Sequence, residues 1–572
     1  MSTDNQILQR AQLWLSAAYD ENTRKEVERL MASDPKALTD AFYTDLDFGT
    51  GGLRGIMGVG TNRVNQYTLG LATQGLANYL KKSLNETEIR VVISHDSRLN
   101  SRVFAVQTAE ILSANGIHAF LFEALRPTPL LSFSIRHLNC HSGIMITASH
   151  NPKEYNGYKV YWGDGGQLVP PHDKNVITEV RATKPEDVRY SPNPDLIHQI
   201  GKEVDEAYLA KLEQLCLTHN GKQDLKIVFT NIHGTAVTLM GDALKRCGFA
   251  HVQSVAAQDV PDGNFPTVVS PNPEEAAALD MAVKLAEETE ADLVIGTDPD
   301  ADRVGIAVRD HQGKMLLLNG NQTASLLIYY LLDAWKNAGK LNGNQFIAET
   351  IVTTDMLQSM AQDYGVECPV CLTGFKWIAE LIREREGKKQ FIGGGEESYG
   401  YLIGDFVRDK DAIGSAVMIA EVAAWAKAKG SSFYAELEKL YLKYGYYHET
   451  LKSITMPGKD GAEAIQAMMK RFRENPPKQL GGSAVVRVAD YQESQTLELE
   501  SGAKTAINLP KSNVLQFFTA DGSKITARPS GTEPKIKFYF GLKAVAQKAD
   551  ELPALRQNLQ AKTQSILNDL GV

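Results

Sequence analysis

Short apolar runs alternate with helix-spaced stretches through most of this chain, and that alternation limits the possible folds more than any other feature. The first series places a helix near 67–84, a strand near 89–94, a helix over about 101–115, a strand at 117–122, a short helix at 128–138 and a last strand at Gly143-Ile144-Met145-Ile146. A second series begins with a strand at 225–230, continues with helices near 236–247 and 274–288, and ends in the strand Ala291-Asp292-Leu293-Val294-Ile295-Gly296-Thr297. A third runs from about 320 to 440 and contains the strand Gln390-Phe391-Ile392. Strands that alternate with helices predict mainly parallel sheets covered on both faces. In such sheets the ligand loops sit at the carboxyl ends of the strands.

A chain of 572 residues is too long for a single core. Residues 1 to about 45 carry helical spacing among charges and predict two or three short helices without chemistry of their own. Residues 181–200 are polar and proline-bearing and read as a boundary. From about 446 the texture changes to strands near 446–455, 482–489, 513–519, 523–528 and 535–541, with helices near 459–474 and 551–568, an α+β pattern with an antiparallel sheet. The expected division is 1–205, 206–320, 321–445 and 446–572. A net charge of -9 argues against a nucleic-acid partner. The five cysteines are odd in number and scattered, which suits a reducing compartment, and Cys368-Pro369-Val370-Cys371 reads as two buried thiols in a strand rather than a zinc or redox motif. No apolar run approaches the ~20 residues of a membrane span, and the N-terminal stretch has no signal-peptide core. The expectation is a cytoplasmic protein without a membrane partner.

Several loops carry the chemistry. Thr147-Ala148-Ser149-His150-Asn151-Pro152 sets a serine and a histidine at a strand exit. Asp298-Pro299-Asp300-Ala301-Asp302-Arg303 offers three carboxylates at alternate positions, a donor set for a hard cation such as Mg2+. An EF-hand also opens this way, but Arg303 and Arg309 stand where that loop needs glycine and glutamate. Gly393-Gly394-Gly395-Glu396-Glu397-Ser398-Tyr399-Gly400 presents acidic and hydroxyl groups suited to sugar hydroxyls, and Thr373-Gly374-Phe375-Lys376 opens a helix nearby. Arg528-Pro529-Ser530-Gly531-Thr532-Glu533-Pro534 joins an arginine, two hydroxyls and glycine-exposed amides into a phosphate cradle. Phe48-Gly49-Thr50-Gly51-Gly52-Leu53-Arg54-Gly55 is neither a Walker loop nor a dinucleotide fingerprint. A serine, a cation loop, a hydroxyl-reading loop and a phosphate clamp, without a nucleotide motif, argue for phosphoryl transfer on a phosphorylated polyol.

These loops, in this order and spanning nearly the whole chain, resemble those of the α-D-phosphohexomutase family, which includes phosphoglucomutases and phosphomannomutases. The long N-terminal segment leading into Arg54 is similar to the branch holding bacterial α-phosphoglucomutases and animal phosphopentomutase-like enzymes. The resemblance implies three mixed α/β domains of related topology plus a C-terminal α+β domain with an antiparallel sheet, heart-shaped around a central cleft. It implies Ser149 as the phosphoryl carrier and Asp298, Asp300 and Asp302, with an oxygen of Ser149 or its phosphate, as ligands of Mg2+. Lys159 aligns with the proposed general acid/base lysine, His150 would lie beside it, and Arg54 and Arg98 match basic positions near the serine loop. Arg303, Thr373, Gly374, Glu396 and Ser398 would bind the sugar, and Arg528, Ser530, Gly531 and Thr532 the phosphate that is not reacting.

The implied reaction interconverts glucose 1-phosphate and glucose 6-phosphate, with glucose 1,6-bisphosphate as intermediate and activator. The implied partners are small sugar phosphates, on a monomer or weak homodimer. Members acting on both glucose and mannose often have glycine after the sugar-loop serine, where this chain has Tyr399. That favours the phosphoglucomutase-like branch and leaves mannose or pentose phosphates, a glucose 1,6-bisphosphate synthase and a non-catalytic phosphosugar scaffold as alternatives.

Overall fold

A computed structural model describes the chain except residues 1–2, 47, 50–51, 87, 457 and 531–534. Its strands form four sheets among the described residues. The first runs in the order Phe48–Gly49, Gly52–Ile56, Tyr155–Trp162, Ser142–Ile146, Arg90–His95, His118–Phe122, Ile197–Ile200. The second runs Met315–Leu318, Val304–Arg309, Leu293–Thr297, Lys226–Thr230, His251–Ser254, and the third Val370–Cys371, Gln345–Thr350, Gln390–Glu396, Gly400–Ile403.

One design recurs in all three. A strand paired in parallel with a neighbour enters a loop, and the chain returns as an antiparallel strand beside it. Ser142–Ile146 returns as Tyr155–Trp162, Leu293–Thr297 as Val304–Arg309, and Gln390–Glu396 as Gly400–Ile403. The sheets are therefore mixed rather than mainly parallel. The return strands escape the helix–strand alternation because each follows its loop directly, with no helix to announce it. Each loop also holds one non-glycine residue in the left-handed region: Ser149 at φ 53°, Ala301 at 52° and Tyr399 at 65°. Such a conformation costs on the order of 1 kcal/mol or more, and it persists where surrounding contacts over-determine the turn.

The strands that deliver these loops are central, and every residue of Ser142–Ile146 and Leu293–Thr297 is buried. Apolar residues on both faces meet helices. Gln66–Ser83 is one of these, started by an Asn65 side chain that accepts from the Tyr67 and Thr68 amides while Thr68 caps in return, and it buries Leu69, Leu76 and Leu80. The 181–200 stretch is not wholly a linker, since Ile197–Ile200 pairs in parallel with His118–Phe122 at the edge of the first sheet. The helix expected over 236–247 divides into a 3-10 turn, Thr235–Thr238, and an α-helix, Met240–Arg246. The N-terminal segment forms three helices, Thr3–Leu13, Glu21–Ser33 and Pro35–Phe42, around a small core of Trp14, Val27, Leu30 and Phe42.

The fourth sheet has eight strands and is antiparallel throughout its pairings, with Tyr446–Thr455 and Lys524–Pro529 flanking Lys535–Ala544. Cys371 is buried in its short strand and Cys368 lies just ahead of it. Burial pushes both thiols up, so neither supplies a ready thiolate. Among the described residues no helix is long and apolar enough to cross a membrane.

Candidate active site

The serine loop is held by a buried arginine. Arg98 donates from Nη2 to the Ser149 carbonyl at 2.5 Å and to the Asn151 carbonyl, and from Nη1 to the carbonyls of Pro152 at 2.8 Å and Tyr155 at 3.1 Å. Asp96 stands behind it, 3.2 Å from Arg98 Nε, and accepts the Thr147 hydroxyl at 2.7 Å. Thr147 Oγ1 in turn accepts the Ser149 amide at 2.8 Å. A guanidinium that saturates carbonyl after carbonyl fixes the backbone of the turn, so Arg98 holds the loop in place. Arg54, on the strand paired with Tyr155–Trp162, reaches the same turn and donates to Asn151 Oδ1 at 3.0 Å.

Ser149 Oγ donates to Asp298 Oδ2 at 2.7 Å and lies 3.2 Å from His150 Nδ1. Burial, then the charges of Arg303 and Arg54, push the His150 imidazole well below its ordinary range, so it is neutral near neutral pH. His150 thus neighbours the serine, and Lys159 reaches the aspartates from the return strand. Lys159 Nζ donates to Asp300 Oδ2 at 2.7 Å and to Asp302 Oδ2 at 3.0 Å. Burial works against this ammonium, but Asp300 and Asp302 outweigh it and raise its pKa.

The three aspartates are buried, and one carboxylate oxygen from each lies within 4.8 Å of the others. Asp300 Oδ1 and Asp302 Oδ1 are buried without a hydrogen-bond partner. Burial, then Asp300 and Asp302, push the Asp298 carboxyl well above its ordinary range. Hard oxygen donors with open lone pairs and mutual repulsion fit a divalent cation. Thr128, which begins the helix Thr128–His137, donates its hydroxyl to Asp300 Oδ2 and its amide to the Asp300 carbonyl, both at 2.9 Å. The Ala412 amide, at the head of another helix, donates to the Ala301 carbonyl at 3.2 Å. Two helix N-termini therefore face this acidic loop.

The sugar-loop candidates meet the same loop. Arg303 Nη1 donates to the Ser398 carbonyl at 3.3 Å, and the Val304 amide to the Tyr399 carbonyl at 2.9 Å. Glu396 Oε1 accepts the Gly374 amide at 2.7 Å, which draws Thr373-Gly374 against the Glu396–Ser398 turn. Arg528 pairs opposite Lys537 on the neighbouring strand, and both charges act on the Glu397 carboxyl, which burial and then Glu396 push up to about 7. A cavity of about 820 Å³ opens between the third and fourth sheets, lined among others by Glu274, Ser398, Tyr399, Lys537 and Tyr539. Ser530 follows the strand Lys524–Pro529, its amide donating to the Lys535 carbonyl at 2.7 Å. Gly531 and Thr532 lie outside the described residues.

Sequence reasoning missed several residues here. Lys410 Nζ lies 3.2 Å from both Asp302 and Asp409, so a second buried lysine flanks the aspartates. Glu274 pairs with Arg303, and Thr128 pins the aspartate loop. None of these residues lies in a motif, and each meets its partner from a distant segment, so no local pattern marks it.

Comparison with known proteins places the chain. Three family descriptions match it: phosphoglucomutase/phosphomannomutase alpha/beta/alpha domain I over residues 45–187, domain II over 206–313 and domain III over 319–444. A phosphoglucomutase of Staphylococcus aureus (strain USA300) is 39% identical over 550 residues, covering 95% of this chain and 98% of that protein. Its counterpart in strain N315 is 38% identical with the same coverage. Among solved structures, pp63/parafusin, a Paramecium phosphoglucomutase in its open form, superposes with a TM-score of 0.66 at 18% identity, covering 93% of this chain and 96% of that one. A phosphoglucomutase/phosphomannomutase family protein of Burkholderia thailandensis superposes with a TM-score of 0.64 at 18% identity, covering 91% and 98%. These two likenesses concern the fold.

Proposed function

This chain belongs to the phosphoglucomutase/phosphomannomutase family and is a mutase, and from that premise we propose that it interconverts glucose 1-phosphate and glucose 6-phosphate. The observation that carries the reading is the Ser149 hydroxyl, held 2.7 Å from Asp298 within a buried carboxylate cluster. A serine there is placed to hold a phosphoryl group beside a cation. Glucose is favoured by the phosphoglucomutases that match over nearly their whole length.

Asp298, Asp300 and Asp302 would hold Mg2+, together with an oxygen of Ser149 or its phosphate. When bound, Mg2+ supplies charge neutralisation at the phosphoryl oxygens. The chain's own residues do the rest. In the first half-reaction the bond from phosphorus to Ser149 Oγ breaks and a bond to the sugar hydroxyl oxygen forms, giving glucose 1,6-bisphosphate. The hydroxyl proton is released and Ser149 Oγ is reprotonated. Lys159, buried beside both carboxylates, is the group assigned to that proton traffic, and neutral His150 hydrogen-bonds the serine oxygen. The bisphosphate then turns over and returns its other phosphoryl group to Ser149. Glu396, Ser398, Thr373, Gly374 and Arg303 read the sugar in either orientation. Arg528, Ser530, Gly531 and Thr532 hold the distal phosphate, and Arg54 adds positive charge at the serine turn. Each of the four units 1–205, 206–320, 321–445 and 446–572 lends one loop, and a cleft closed by the last excludes water from the phosphoserine. Five scattered cysteines suit work in the reducing cytoplasm.

A coupled assay over glucose, mannose and pentose 1-phosphates with Mg2+ and catalytic glucose 1,6-bisphosphate tests this. Glucose 1-phosphate is expected to give the highest kcat/KM, and Ser149→Ala to lose turnover by at least about a thousandfold. A preference for mannose 1-phosphate overturns the substrate, and full activity of the Ser149→Ala variant overturns the phosphoserine.

A further inference from the structure

Arg303 stands between two acidic partners. On one side its Nη1 pairs with Glu274 in a short contact. On the other, its Nε lies 3.9 Å from Asp302 Oδ1, and neither of these two atoms has a hydrogen-bond partner. A shift of about 1 Å would close that gap into a charge-assisted hydrogen bond. The guanidinium would then occupy a lone pair of the buried aspartate cluster.

Glu274 is built to prevent this. Its amide donates to Asn272 Oδ1 at 3.2 Å, and the Glu275 amide donates to the Asn272 carbonyl at 2.9 Å, closing a tight turn. The preceding Pro273 seats directly on the return strand, its carbonyl oxygen 2.3 Å from where a Cβ on Gly305 would stand. That contact is two residues from Arg303, so only glycine at 305 lets the turn approach closely enough for the carboxylate to reach the guanidinium. The same segment touches the serine turn, where Ser270 Oγ donates to the His150 carbonyl at 3.4 Å.

We propose that Glu274 is a positioning residue of the cation centre, which holds the Arg303 guanidinium away from Asp302 and so leaves the aspartate oxygens to the metal. The inference rests on the reading that Asp298, Asp300 and Asp302 hold a divalent cation. Glu274 itself touches neither the cation nor its ligands. It acts by competition, because a guanidinium satisfied by Glu274 gains little by moving to Asp302, whereas one deprived of Glu274 gains a charged partner there.

The test is direct titration with Mn2+, followed by calorimetry or by the loss of the free-ion electron paramagnetic resonance signal. Glu274→Gln is expected to weaken Mn2+ binding about tenfold, and Glu274→Asp to recover most of that loss. Glu275→Gln, on an exposed neighbour, should stay within twofold of the parent. The double variant Glu274→Gln/Arg303→Met, which removes the competitor as well, should bind Mn2+ at least as tightly as the parent, a rescue that a merely structural role for Glu274 would not give. In assays, Glu274→Gln should raise the Mg2+ concentration needed for half-activation more than it lowers kcat at saturating Mg2+. Binding by Glu274→Gln within twofold of the parent, or no recovery in the double variant, overturns the proposal. A parent that binds no Mn2+ overturns it together with the cation reading. A parent that binds Mn2+ but does not isomerise glucose phosphates overturns only the substrate.

Discussion

Two buried ionic clusters flank the second sheet, and they are built to opposite ends. In one, Glu421 on the helix Ala412–Ala428 faces Lys222 Nζ at 2.6 Å, and both side chains are almost fully buried. Glu421 Oε1 also accepts the Leu217 amide at 2.8 Å, the Thr218 amide at 3.2 Å and the Tyr330 hydroxyl at 2.8 Å. One acid meets one base in an ion pair, and two backbone amides and a tyrosine hydroxyl occupy the acid's other oxygen, Oε1. In the other cluster three aspartates share a pocket with Lys159, Lys410 and Arg303, and Asp300 and Asp302 each keep an oxygen without a hydrogen-bond partner. A buried pair whose two opposite charges balance ties two segments together. A cluster that keeps open donor atoms beside a serine is fitted to receive something, and the loop backbones stay in unfavourable conformations to keep it so.

The largest test of that contrast falls on the open cluster. Asp298→Asn removes a carboxylate that burial and then Asp300 and Asp302 already disfavour in its charged form. Turnover should fall by at least about a thousandfold, on the order of 4 kcal/mol of transition-state stabilisation, while the unfolding temperature measured in a chelator stays level or rises. A variant that lost stability as well as turnover would erase the distinction.

The closed cluster should respond the other way. Lys222→Met leaves Glu421 buried without its cation, at a cost of about 3–5 kcal/mol in stability. Urea unfolding reads this, and turnover per folded molecule should hardly change. A stable but inactive Lys222→Met protein would place this pair within the catalytic apparatus.

A smaller effect comes from a third buried group near the fourth sheet. Glu349 Oε1 accepts from Gln358 at 2.9 Å and its Oε2 has no hydrogen-bond partner, and burial pushes its carboxyl up to about 8. A carboxyl raised in the folded state favours folding while it is protonated, fully so below its ordinary pKa, and that contribution is lost as pH rises through about 8. From pH 5 to 8.5 the parent's apparent unfolding temperature should therefore drop on the order of 2–4 °C further than that of Glu349→Gln. Parallel pH profiles for the two proteins would show that Glu349 ionises without cost.

How much of this was legible in the chain follows from how local each signal is. Leu293–Thr297 and the aspartates after it are contiguous, so an apolar strand and a hard-oxygen donor set can be read together. The antiparallel return of Val304–Arg309 was not legible, because Val304 to Val308 is as apolar as a parallel strand and its direction is set by the strand it pairs with. Lys410 and Glu274 were hidden for a related reason. Each lies well along the chain from the aspartate or arginine it meets, and a lysine or glutamate outside a motif looks like any solvated charge until the sheets are assembled.

The sequence by itself determined the local pieces: helix caps such as Asn65, the apolar strands, and loops whose serine, aspartates and glycines mark a phosphoryl-transfer chemistry. These depend on interactions between near neighbours in the chain, so a short window contains their cause. Only the tertiary structure decided which charges stay satisfied and which stay open. That balance depends on pairs such as Lys159 with Asp300, Glu274 with Arg303 and Lys222 with Glu421, whose partners are brought together by packing and gain their strength from burial.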